Sequence, residues 1–173
     1  MAKRTLVASL IVWFCFFLLL ALLSPSVGRA SGGSNLLQNP SFEQGTAPWL
    51  SGPSGATFII TSTRVYSGTW AASLNKEVGA VPIYIYQDVP VVGGGYYTLS
   101  GWAYKDSPNF RSVYLRIEWR DAWGEIYHVD SHILTDDEEA YQRLCIPGEC
   151  DGDGVQAPNN AVEARIKCVA DIQ

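Results

Sequence analysis

Of the chain's 173 residues only 12 are Lys or Arg, 4 are Cys and 2 are His. Scarce positive charge argues against nucleic acid and anionic membrane as partners, because both are held by clustered Lys and Arg. No two cysteines stand at CxxC spacing, which argues against a zinc knuckle. After the N-terminal leader, no long stretch repeats its apolar residues every 3.6 positions, so helices are not the frame of the fold. There is no internal repeat and no long low-complexity linker.

The leader is distinct. Lys3 and Arg4 precede an uncharged apolar run of 18 residues, Leu6 to Leu23. Ser24, Pro25 and Gly28 break the run, and Gly28-Arg29-Ala30 places small residues where a signal peptidase reads. The expectation is a signal peptide over residues 1–30 and a secreted product; the alternative is an uncleaved anchor at the cell surface. The remaining 143 residues, Ser31 to Gln173, suit one domain. They carry 9 basic and 17 acidic side chains, a net charge of −8. Three cysteines remain, Cys145, Cys150 and Cys168, so an oxidising compartment predicts one disulfide and one thiol, with the pairing open.

Gly, Pro and Ser punctuate this part about every ten residues, and the runs between them are rich in β-branched and aromatic residues. Strands are predicted near Thr57–Thr63, Trp70–Asn75, Ile83–Val89, Tyr96–Tyr104, Val113–Asp121, Glu125–Ile133, Ala140–Ile146 and Val162–Ala170. Many short strands at regular spacing predict an all-β sandwich or barrel. In "VYLRIEWRD", Val113, Leu115, Ile117 and Trp119 share the face expected to be core, and Tyr114, Arg116, Glu118 and Arg120 share an outer polar face. "VEARIKCVA" alternates likewise. In "IYIYQDV" both faces are apolar or aromatic, so Tyr84 and Tyr86 are expected to form an exposed row.

Several motifs, in order, resemble the carbohydrate-binding modules of families four, nine and twenty-two, galactose-binding-like jelly-roll sandwiches appended to secreted glycoside hydrolases. They are "NLLQNPSFEQGTAPW", "YSGTWAASL", "YQDVPVVGGGYYTLSGWAY", "LRIEWRDAWGEI" and "APNNAVEARI". The resemblance covers Asn35 to about Ala170. It implies a jelly-roll β-sandwich of two antiparallel sheets. Phe42 and Trp49 would pack in the core, Pro40 would set a turn, and Glu43 would ligate a structural calcium. Such modules usually end in a further strand bearing an Asp-Asp pair. This chain stops at Ala170-Asp171-Ile172-Gln173, so an open edge and partly open core are expected if that strand is missing.

The resemblance puts the ligand cleft on the outward face of the sheet holding Val113–Asp121, Glu125–Ile133 and Val162–Ala170. Sugar recognition needs flat aromatic faces for the C–H side of a pyranose and planar polar groups for its hydroxyls. Tyr84 and Tyr86 are the stacking candidates; Arg116, Glu118, His128 and Arg165 are the polar ones. The competing reading is a solvated sheet face with structural tyrosines. Trp49, Trp70 and Trp119 read as core, and Trp123 as an exposed turn residue. His128, Asp130 and His132 share one side of a strand, a pattern read as a polar face before a metal site. "CDGDG" lacks the spacing of an EF-hand loop and reads as an acidic turn that Cys145 and Cys150 would close. "TDDEEA" is a charged loop.

No nucleophile–base arrangement and no spaced carboxylate pair can be read, so an enzyme is not expected. The leading function is a non-catalytic module that binds a xylan- or β-glucan-class polysaccharide for a partner hydrolase, as a monomer or part of a larger chain. The alternatives are a fragment of a glycoside hydrolase and a cell-surface structural module without sugar binding.

Overall fold

The computed structural model describes residues 34–75, 81–135 and 140–172, with the side chain of Asn75 excepted. The expected leader and Asp136–Glu139 of the charged loop lie outside the described residues. Asn35–Gln173 forms one compact unit.

Among the described residues eleven strands follow one another: β1 (Leu50–Gly52), β2 (Thr57–Thr61), β3 (Ala71–Asn75), β4 (Ile83–Pro90), β5 (Tyr96–Tyr97), β6 (Leu99–Ala103), β7 (Phe110–Asp121), β8 (Gly124–Asp130), β9 (Gln142–Ile146), β10 (Val155–Gln156) and β11 (Glu163–Ile172). The described residues contain no helix. One sheet has five antiparallel strands in the order β1-β4-β11-β7-β8, and β10-β5, β2-β3 and β6-β9 form two-stranded ladders. This is the all-β sandwich that the strand pattern predicts, of the jelly-roll kind that the resemblance implies.

The core forms because alternation in the long strands sends one side chain in two inward. Ile83, Ile85 and Val89 of β4, Leu115, Ile117 and Trp119 of β7, and Ala164 and Ile166 of β11 are buried. Val89 and those β7 and β11 residues form one cluster with Leu99 of β6 and Leu144 and Ile146 of β9. A second cluster joins Ala56, Ile83 and Ala170, with Leu74, Phe110 and Ile172 against it. Trp49 is buried beside β1, packed against half-buried Phe42 with the rings tilted and their centroids 5.3 Å apart, and its Nε1 donates to the Asn39 carbonyl.

Several expectations change. Tyr96–Tyr104 is two strands, because β5 pairs with β10 while β6 pairs with β9. β8 ends at Asp130, and Val113 bridges Leu134 instead. Trp70 is not core: it is 36 % exposed just before β3. β11 lies at the centre of its sheet, paired with β4 and β7, and the edges of that sheet are β1 and β8. Cys145 and Cys150 form the disulfide, and burial pushes the free Cys168 thiol up to about 12.

Candidate functional site

Cross-strand register assembles the site on the outer side of the five-stranded sheet. Side chains directly opposite one another in antiparallel strands share a face. One row runs Leu50, Tyr86, Lys167, Arg116, Asp130; the next runs Asp88, Arg165, Glu118, His128. The six residues singled out from the sequence, Tyr84, Tyr86, Arg116, Glu118, His128 and Arg165, therefore lie on one face.

Most of the polar groups there are already paired. Arg116 grips Asp130 through two bonds, Nε to Oδ1 at 2.6 Å and a second at 2.8 Å. Arg165 grips Asp88 in the same fork geometry, at 2.7 and 2.8 Å. Such bidentate pairs fix a planar guanidinium in one orientation. The pairing with Asp88 and Asp130 raises the pKa of both arginines, against the opposing effect of burial. His128 Nδ1 lies 2.7 Å from Glu125 Oε1, and the His128 side chain is exposed.

Glu118 departs from expectation. It is on the outer face, yet only 3 % exposed, because Lys167 and Arg120 close over it. Lys167 Nζ donates to Oε2 and Arg120 Nη1 donates to Oε1. Burial works against its charge, but the hydrogen bonds and charges of Lys167 and Arg120 outweigh it and lower its pKa. Glu118 is thus a buried tie between β7 and β11. Arg120 also reaches Glu163 at 3.3 Å.

Both tyrosines are half-buried, with ring centroids 5.9 Å apart. The Arg165 guanidinium lies over Tyr86 at 4.3 Å, and Lys167 Nζ over Tyr84 at 4.6 Å. The edge strand shapes the other flank of Tyr84. A Cβ at Gly52 would come within 2.7 Å of the ring, so only glycine lets β1 approach so closely. Lys167 and Asp88 were not singled out from the sequence, and Asp130 was read only as part of a polar strand face. The signal was present, since each alternates onto the outer side of its strand, but the strand pairing that joins them was not legible.

Glu43, the expected calcium ligand, is exposed and caps a turn. Its Oε1 accepts the backbone N–H groups of Thr69 and Trp70, each at 3.0 Å, and these bonds lower its pKa. A Cβ at Gly68, where φ is +78°, would meet that oxygen at 2.5 Å. Among the described residues, no three His, Cys, Asp or Glu side chains converge as a metal site. Trp123 stands 92 % exposed at the β7–β8 tip, where Asp121 Oδ1 accepts the N–H of Trp123 and of Gly124.

Solved structures share this architecture. The enzymatically active domain of bacteriophage CBA120 tailspike protein 4 has a TM-score of 0.61 and 14 % identity, over 80 % of this chain and 19 % of that one. A C-terminal family 22 carbohydrate binding module of a Clostridium thermocellum xylanase has a TM-score of 0.58 and 14 % identity, over 78 % of this chain and 82 % of that one. The CBM22-1–GH10 modules of C. thermocellum endo-1,4-β-D-xylanase 10B, complexed with xylohexaose, match with a TM-score of 0.61 and 13 % identity, over 82 % of this chain and 26 % of that one. The chain thus spans about a fifth of the tailspike chain and a quarter of the xylanase chain. No curated protein matches the sequence significantly. The model of the carbohydrate binding domain of the family 4 and 9 type matches residues 34–139, more than half of the chain, and the chain belongs to that family.

Proposed function

We propose that the protein is a non-catalytic module, exported by its leader, that binds a neutral polysaccharide of the xylan or β-glucan class near a glycoside hydrolase. The observation that carries this reading is the outer face of the five-stranded sheet. Two tyrosine rings there share the face with two fork-paired guanidinium–carboxylate groups, and one of these, Arg165–Asp88, adjoins Tyr86. Planar groups of fixed orientation suit the hydroxyls of a sugar, and ring faces suit its C–H side. The family match supports the class of ligand, and the likeness to a xylanase solved with xylohexaose supports the polysaccharide. Binding requires Arg165 or Lys167 to swing off its ring, a motion open to long side chains on a surface.

A second reading, a structural sandwich without sugar binding, draws on those same two cations over the rings. Affinity electrophoresis through gels holding xylan, β-glucan, mannan or no polysaccharide separates the two. Retardation on one gel, lost in Tyr86→Ala, is the expected result; free migration on all gels by the folded protein leaves the structural reading.

A calcium ion at Glu43 belongs to the same proposal. Glu43 would supply the carboxylate, and backbone carbonyls and water the remaining ligands. If it is bound, chelator lowers the melting temperature of the protein and leaves that of Glu43→Gln unchanged; equal melting with and without chelator removes the ion from the proposal.

A further inference from the structure

The other side of the sandwich carries a separate group of aromatic residues. In β6, Leu99 is buried and a Cβ at Gly101 would touch Leu115 at 3.6 Å, so Gly101 faces the core and Trp102 faces away. Trp102 is 45 % exposed. Tyr66, 50 % exposed, stacks on it with centroids 4.0 Å apart and planes 15° from parallel.

The surrounding residues hold this pair in place. Tyr141 meets Tyr66 edge-on at 5.5 Å and Tyr104 at 5.4 Å. Its hydroxyl donates to the Arg64 carbonyl at 2.6 Å. The Arg64 guanidinium lies over Tyr104 at 4.5 Å, donates to the Tyr104 hydroxyl and pairs with Asp106 at 3.1 Å. Arg64 itself has φ +69°, a left-handed conformation that a side-chain-bearing residue keeps only where its surroundings fix it. Arg64, Tyr104 and Tyr141 therefore fasten the segment before β3. Their fastening leaves the Tyr66–Trp102 stack half open, held flat and backed by fixed neighbours.

We infer that the outward face of β6 is a second contact surface for a neutral polysaccharide, with Trp102 and Tyr66 as the stacking platform and Arg64 and Asp106 as hydroxyl partners. Stacked face to face, each ring covers one face of the other, and the half of the pair that stays exposed offers apolar surface of the kind a pyranose covers with its C–H face. Arg64 and Asp106 place one donor group and one acceptor group beside it, both about half exposed at the side chain. Their charges balance, which favours a neutral polyhydroxyl ligand over a phosphorylated or acidic one. The ligand class rests on the reading under Proposed function; the surface does not, since it shares no residue with the five-stranded face. Two surfaces on one module would also raise avidity for a long polymer over that for a short oligosaccharide.

The test uses affinity electrophoresis of the protein, Trp102→Ala, Trp102→Phe and Tyr86→Ala, with thermal melts to check folding. It is joined by NMR of the indole N–H signals during titration with xylohexaose and with a β-glucan hexasaccharide. Trp102→Ala should weaken retardation by about three- to tenfold, the range expected for one lost aromatic stack. Trp102→Phe, which keeps a flat ring, should restore most of it. The Trp102 signal should shift with oligosaccharide in the unaltered protein and still shift in Tyr86→Ala. If the unaltered protein is retarded but its Trp102 signal does not move, and Trp102→Ala migrates like it, the second surface is overturned and the first stands. If nothing is retarded and no indole signal moves, both fail. The titration of the unaltered protein decides the matter even if Trp102→Ala does not fold.

Discussion

On the outer side of the five-stranded sheet, Arg165 and Lys167 lie over Tyr86 and Tyr84, and acid–base pairs cross from strand to strand. On the outer side of β6, Tyr66 lies over Trp102, and the stack is left about half exposed. The same residue type thus serves two ends. A broad sheet sets long cationic side chains next to rings in neighbouring strands, where cation–π attraction and apolar stems draw them together. A two-stranded ladder has fewer neighbours to supply such covers, so its aromatics find each other. The first face is a charged lattice that ties strands together; the second is an apolar platform held by a polar surround.

The comparison is broken most strongly at Glu118. Glu118→Ala leaves Lys167 and Arg120 without their shared buried carboxylate and should cost about 3 kcal/mol in urea denaturation, as for one partner removed from a buried pair. The same carboxylate should appear in acid. Its lowered pKa means that the folded protein binds fewer protons than the unfolded chain below the ordinary carboxylate range. Stability is fully present above that range and falls as pH drops through the lowered pKa. Glu118→Gln should flatten this acid limb, while Trp102→Ala should leave it unchanged; melting curves from neutral pH down to the onset of acid unfolding check both.

The disulfide sharpens the second half of the comparison. Cys145 and Cys150 close a short loop at the end of β9, the partner of the strand that carries Trp102. Loop-closure entropy for so short a loop predicts a loss of about 2 kcal/mol when Cys150→Ser removes the bridge. The smallest effect should come from Trp102→Ala, which removes one exposed stack and should cost about 1 kcal/mol. A cost several times larger would mean that Trp102 holds the fold as Glu118 does, and the contrast between the faces would shrink.

Much of this was legible before any coordinates. The strand positions over Ile83–Val89, Val113–Asp121 and Val162–Ala170 follow from alternation, and the buried Leu115, Ile117 and Trp119 are the face that the pattern names. The shared face of Tyr84, Tyr86, Arg116, Glu118, His128 and Arg165 was also correctly grouped. The state of those residues was not legible. Alternation says that Glu118 points outward, but its burial depends on Lys167 and Arg120 closing over it from positions 49 and 2 residues away. Trp70 reads as core from composition alone and lies at the surface. Tyr66 and Trp102 are 36 positions apart, and nothing local marks them as a pair.

The sequence by itself determined the all-β frame, the inward and outward sets of each long strand, and the acidic, lysine- and arginine-poor character of the chain. These depend on near neighbours, whose spacing of two along a strand is a covalent fact. Only the tertiary structure decided which strands lie side by side. It therefore also decided which guanidinium covers which ring, which carboxylate is buried, that Cys145 bonds Cys150 and leaves Cys168 free, and which aromatics remain open. Those outcomes depend on register between strands far apart in the chain, and the packing of the whole sandwich fixes that register.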